Sequence, residues 1–277
     1  MKTKHKILFA KFISKIITFI YKDKVLVRRN GINWFLDLNE GIDLSIFLFG
    51  KFENSILKVS KFLIKNKKID ILDIGCNMGV HTLFFAKVFK KSKIYSIEPT
   101  DFAFKKLKKN VGLNKGMNNI KIFQYFLTRK KIVPKKIYSS WELTNQNKKH
   151  KKHMGTLKTT KSSKVKTLDK FVKENNIKNK ILIKCDVDGN ELEVFKSGKD
   201  FIKKFKPFII MELAPYLYPE FGYNVEKLLK LLKQYNYSFY DAKDFNEIFN
   251  IYEYANKIKD GSSENIFFKV KNEKSKS

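Results

Sequence analysis

The sequence predicts a doubly wound α/β domain, and three observations carry that expectation. Ile69, Ile71, Leu72 and Ile74 form a short apolar run, as a strand buried in a parallel sheet requires. The turn Asp73-Ile74-Gly75-Cys76-Asn77-Met78-Gly79 follows it, and then helical spacing from Val80 to Phe89, with Leu83, Phe84, Ala86 and Val88 apolar. Lys93 to Ile97 reads as the next strand and ends on Glu98-Pro99. Strand, glycine turn, helix, strand and terminal acid make the unit by which such a sheet holds a nucleoside ribose.

The remaining elements fall in order around this unit. Residues 1–60 read as an extension, 61–270 as the main domain, and 271–277 as a polar tail expected to fray. Within the first 24 residues, Ile7, Phe9, Phe12, Ile13, Ile16, Ile17 and Ile20 share one helical face. Lys11 and Lys15 interrupt the apolar run, so it suits neither a membrane span nor a signal peptide. Two readings stay open: a helix packed on the domain, or an anchor making weak peripheral membrane contact. Val25–Arg28 and Trp34–Leu38 flank Asn30-Gly31, a hairpin turn signal, and a helix leads on to residue 60.

Thr100 is placed to cap a helix through Val111, and Ile120–Leu127 reads as the third strand. Residues 139–164 are polar, lysine-rich and weakly periodic, so they read as a surface insert or a substrate-side segment. In the second case Ser139, Ser140, Trp141 and His153 would offer polar groups and an aromatic platform. Helix is expected over Leu168–Glu174, Gly189–Ser197 and Val225–Gln234. Strands are expected over Ile181–Asp186, Phe208–Glu212, Ser238–Asp241 and Asn265–Val270. The sum is a mostly parallel, seven-stranded Rossmann-like sheet with helices on both faces.

Composition narrows the partners. The chain has 277 residues, 43% of them apolar, which suits one α/β domain with an extension. A net charge of +31 resembles a nucleic-acid binder, but only Arg28, Arg29 and Arg129 among the 58 basic residues are arginine. Phosphate and base recognition favours the planar guanidinium fork, so no specific nucleic acid is expected. Cys76 and Cys185 give no disulfide framework, which fits a reducing, cytoplasmic setting.

The turn itself selects among nucleoside ligands. A pyrophosphate cofactor wants three glycines; here there are two, Gly75 and Gly79, with Asn77 between and the carboxylate of Asp73 before. That acid would repel a pyrophosphate and attract an ammonium group. S-adenosylmethionine has an ammonium, a sulfonium and a ribose, and no phosphate. On this reading Asp73, Gly75, Cys76, Asn77 and Gly79 hold the methionine part, and Glu98 with Pro99 the ribose.

At these residues the chain resembles class I S-adenosylmethionine-dependent methyltransferases. Thr167-Leu168-Asp169, followed by the segment Ile183 to Val194, is similar to the signature of the FkbM type. Arg29–Asp37 and Gly50–Glu53 are similar to that family's lead-in, and the resemblance runs from Gly31 to Asp241. Asp188 departs from it, standing where the family usually has Glu. The resemblance implies O-methylation of a sugar or glycan hydroxyl, or of a related natural product, as in polysaccharide modification. It also implies that Glu53 reaches the cofactor's amino group.

Ligands of open α/β sheets bind beyond the carboxyl ends of the strands, which collects Asp73, Glu98, Asp186, Asp188 and Glu212 on one rim. Such crowding of acids is costly without a cation. Asp186, Asp188 and Glu212 are therefore the candidate catalytic residues, either as a base or as ligands of Mg²⁺ or another divalent cation. Glu191 reads instead as a cap for the helix after Gly189. Absent segments are informative too. No Asn-Pro-Pro-Tyr segment suggests adenine methylation, and no Pro-Cys pair offers a nucleophile to a pyrimidine. The alternatives carried forward are an RNA methyltransferase, favoured by charge alone, and an inactive binding module.

Overall fold

The computed structural model describes residues 3–65, 67–143 and 149–271, with side chains from Ala10 onward. The side chains of the expected apolar positions Ile7 and Phe9, and the tail past Lys271, lie outside what is described. Helix α1 (Thr3–Ile20) opens the chain. Strands β1 (Lys24–Arg29) and β2 (Ile32–Asp37) pair antiparallel around Asn30 and Gly31, both at positive φ as a tight hairpin requires. One helix was expected next, and two form: α2 (Gly41–Phe49) and α3 (Asn54–Ile64). The break is a backbone one, because Gly50 and Glu53 both take left-handed conformations.

The nucleoside unit follows as β3 (Asp70–Ile74), α4 (Val80–Val88) and β4 (Ile94–Ile97). Thr100 caps α5 (Asp101–Gly112), its hydroxyl accepting from the Ala103 amide. The strand expected over 120–127 splits at Gln124. Its first half, β5 (Ile120–Phe123), joins the main sheet; its second, β6 (Tyr125–Leu127), leaves to pair with another strand. The polar segment over 139–164 is not a bare loop: β7 (Lys136–Ser139) and β8 (Thr156–Thr159) form a hairpin, and β9 (Lys164–Lys166) pairs with β6. Residues 144–148 of that segment lie outside the described ones.

The second half supplies α6 (Leu168–Glu174), β10 (Ile181–Cys185), α7 (Glu191–Ser197), α8 (Lys199–Phe205) and β11 (Phe208–Leu213). It ends with α9 (Val225–Lys233), β12 (Tyr237–Asp241), β13 (Glu247–Ile248), α10 (Ile251–Lys257) and β14 (Glu264–Val270). The sheet order is β13-β12-β14-β11-β10-β3-β4-β5, with β14 antiparallel to both neighbours. Eight strands replace the expected seven; the extra one, β13, has two residues, too few to show a period. Leu168, Phe171, Phe195, Leu228 and Leu229 cover one face, and Ile56, Val59 and Phe85 the other. Chain order reverses between β3 and β10, so a crevice opens beyond their carboxyl ends.

Candidate active site

A cavity of about 840 Å³, its mouth included, occupies that crevice. Its floor is Gly75, Cys76 and Asn77 after β3, Glu98 and Pro99 after β4, and Lys184, Asp186, Val187 and Asp188 at the end of β10. Ile97, Tyr125, Phe126 and Leu127 give it an apolar wall, and Ile42 and Phe52 of the extension reach its other side. The volume and mixed lining are those of a site for a drug-sized ligand.

The two glycines serve packing as much as ligand approach. A Cβ on Gly75, which sits at φ 72°, would lie 1.8 Å from the backbone oxygen of Asp186. One on Gly79, at φ 94°, would meet Leu107 at 2.7 Å, and Gly79 does not line the cavity. The turn and the end of β10 are therefore in direct backbone contact. The Asp186 amide adds to this by donating to the Ile74 carbonyl at 3.1 Å.

Glu98 is 4% exposed and its carboxylate is held rigidly. Oε2 accepts from the Asn77 amide at 3.0 Å, and Oε1 from the amide and hydroxyl of Thr100 at 2.8 and 2.6 Å. Burial pushes its pKa up, and the Thr100 and Asn77 bonds counter that. A carboxylate oxygen can accept two bonds, and Oε2 takes one, so acceptor capacity is left on the cavity wall.

Asp73 corrects an expectation. Its carboxylate is fully buried behind the turn and does not line the cavity. Oδ2 accepts from Thr82 at 2.7 Å, and Oδ1 faces the Lys184 ammonium at 3.6 Å. It stands behind the turn and does not face the cavity, contrary to the sequence expectation. Lys184 is the cavity-lining charge that sequence reasoning missed. Its Nζ donates to the Gly75 carbonyl at 3.0 Å and lies 3.3 Å from Asp186. Burial works against its charge, but Asp186 and then Asp73 more than reverse that, holding the ammonium well above its usual range. The signal was present: a lone lysine inside the apolar run Ile181-Leu182-Ile183-Lys184-Cys185.

Asp186, Asp188 and Glu212 do converge. One oxygen from each lies within 4.8 Å of the others. Burial raises the pKa of Asp188, with Asp186 and Glu191 adding to it. Burial raises Glu212 likewise, with Asp186, Glu53 and Asp188 adding, although the Ser263 hydroxyl donates to its Oε1. Glu191 does not cap the helix as expected: α7 starts at Glu191 itself with no side-chain cap bond, and the carboxylate ties the preceding loop instead. Its Oε1 accepts from the amides of Val187 and Gly189 at 3.3 Å each, and burial pushes it up to about 7. Glu53 is not part of the cavity wall; it stands 3.6 Å from Nε2 of His81, which is.

Two expected substrate residues are not brought to the cavity. Trp141 packs beneath Gly41, near Leu44, Leu143 and Ile13, and meets Phe52 edge-on at 6.3 Å. It was read as an open platform because its neighbours in sequence are polar; the extension covers it. His153 stacks on His150 at 4.0 Å, and burial followed by the His150 charge lowers it to about 4. Its Nδ1 accepts from the Gly155 amide, so it serves the β7–β8 hairpin.

No curated protein sequence matches the chain. Among solved structures it is similar to an FkbM methyltransferase from Methylobacillus flagellatus at 15% identity and TM-score 0.43, covering 73% of this chain and 43% of that one. It thus spans less than half of that protein's length. A human methyltransferase 10 domain containing protein gives 13% identity and TM-score 0.47, over 94% and 96% of the two chains. M. jannaschii TYW2, solved in complex with AdoMet, gives 14% and 0.39, over 90% and 88%. The sequence model of the Methyltransferase FkbM domain matches residues 73–239. That span is more than half of the sequence and holds the cavity floor, so the chain belongs to the FkbM methyltransferases, a family dependent on S-adenosylmethionine.

Proposed function

We propose that this chain methylates a hydroxyl oxygen, of a sugar, glycan or related polyhydroxylated product, with Asp186, Asp188 and Glu212 facing the acceptor. The observation that supports this most directly is the convergence of those three carboxylates beside the cavity floor, with Lys184 ion-paired to Asp186. When bound, S-adenosylmethionine supplies a methyl group on a sulfonium centre. Glu98 orients the ribose, and the apolar wall from Ile97 to Leu127 takes the adenine. Gly75, Cys76 and Asn77 line the floor beside the methionine part.

Most of the rate would come from holding the acceptor oxygen in line with the methyl carbon. The acceptor hydroxyl loses its proton as the new C–O bond forms. A carboxylate whose pKa is raised towards neutrality is a suitable base for that proton, and burial raises both Asp188 and Glu212. The same three oxygens would suit a hard divalent cation such as Mg²⁺.

Calorimetric titration with S-adenosylhomocysteine tests the donor half. Glu98→Ala should weaken binding by roughly tenfold or more, since it removes a buried acceptor. Wild-type protein that is folded and does not bind would sink the reading. Methyl transfer after EDTA treatment, with and without added Mg²⁺ or Mn²⁺, separates base from metal: full activity in EDTA assigns the acids as the base, and recovery only with metal assigns them as ligands.

A further inference from the structure

We propose that the outer face of α1 docks on an anionic lipid surface as a peripheral contact. The helix is apolar on two sides. Its inner stripe packs on the domain: Ala10, Ile13 and Ile17 lie against Leu44 and Leu143, and the Ser14 hydroxyl donates to the Leu38 carbonyl at 2.8 Å. Its outer stripe has Phe12, Ile16, Phe19 and Ile20, spaced i, i+4, i+7, i+8, and they are 65, 49, 92 and 70% exposed. The single face expected from sequence is thus divided, half of it covered by the domain and half left bare. The bare patch continues past the helix. Tyr21 is exposed and meets Phe47 edge-on at 5.4 Å, and Leu48 and Phe49 follow at the end of α2, also exposed.

A contiguous exposed apolar surface of this kind marks a contact site. Charge decides which. Between residues 10 and 30 stand Lys11, Lys15, Lys22, Lys24, Arg28 and Arg29 against one acid, Asp23. A second copy of a chain with net charge +31 would bring like charge to like charge, whereas an anionic bilayer is complementary. Aromatic and aliphatic side chains ringed by lysine suit the headgroup boundary. Among the described residues no helix is long and apolar enough to cross a membrane, so the contact is one that lies on the surface. This inference does not depend on which acceptor is methylated.

Flotation with phosphatidylcholine vesicles, with and without phosphatidylglycerol, tests it. Point variants are needed, because deleting the helix would also uncover Leu44 and Leu143. Wild type should float with the anionic vesicles and far less with the neutral ones. Phe12→Ser/Phe19→Ser should lower that partition by at least roughly tenfold, with melting temperature and S-adenosylhomocysteine binding unchanged. Phe19→Ser alone should give part of that loss. Equal flotation of wild type and the double variant would overturn the proposal, since general positive charge would then suffice. So would failure of the wild type to float, or a concentration-dependent dimer, without lipid, that the double variant abolishes.

Discussion

Lys184 shows how much one buried charge organises. It is the cation between Asp73 and Asp186, and it also donates to the Gly75 carbonyl that shapes the turn. Lys184→Met keeps the volume but strands two carboxylates, one of them fully buried. A loss of about 3–5 kcal/mol is expected, seen as a drop of roughly 10 °C in thermal melting by circular dichroism. A variant that melts like wild type would mean that the carboxylates do not rely on this ion pair. The lysine was legible as an oddity in an apolar strand, but its role was not, because sequence does not show which way neighbouring side chains point. The same blindness sent Asp73 towards the ligand when its oxygens face Thr82 and Lys184. Glu98 was legible because a strand-end acid has a fixed place in this architecture.

Among elements, the extension and the β7–β8 hairpin close on each other over the cavity. Glu40 bridges to Glu142, and the Gly41 amide donates to the Trp141 carbonyl at 2.8 Å. Lys158 lies 3.8 Å from Glu40, and Lys106 pairs with buried Asp43. Burial pushes Glu40 up to about 7, against the pull of Lys106 and Lys158, and Asp43 up to about 6. An acid whose folded pKa is raised binds its proton more tightly in the folded chain. Stability therefore falls as pH rises from the unfolded value, 4.5, through about 7. Glu40→Gln should melt roughly 5 °C higher than wild type at pH 8 and match it near pH 4.5, by thermal denaturation across that range. A gain at both ends, or none, would remove Glu40 as the titrating group. The helix cap at Thr100 was readable from sequence because it acts over three residues. This closure was not, because it joins residues about a hundred positions apart that share no local pattern.

On the scale of the whole molecule, charge and topology act separately. The net +31 should give RNA binding that falls by about 10³-fold or more between 50 and 200 mM salt. It should also show no sequence preference, by fluorescence anisotropy on unrelated RNAs. A preference that survives salt would revive the RNA reading. The order of the main sheet, in contrast, was legible almost throughout, since each of its parallel strands carries an apolar run and β13 alone in that sheet is too short to show one. The β7–β8 hairpin and the β6–β9 pair, however, lay in a segment with no clear period. The contact between Gly75 and the Asp186 carbonyl has a consequence for anyone redesigning the protein. On the proposed function, it fixes the span between the donor pocket and the acids facing the acceptor as a constant of the fold. A bisubstrate inhibitor therefore needs a short rigid spacer in place of a flexible tether. Directed evolution towards new acceptors has little freedom on the floor and most on the outer wall, at Ile42, Phe52, Ile137 and Ser139.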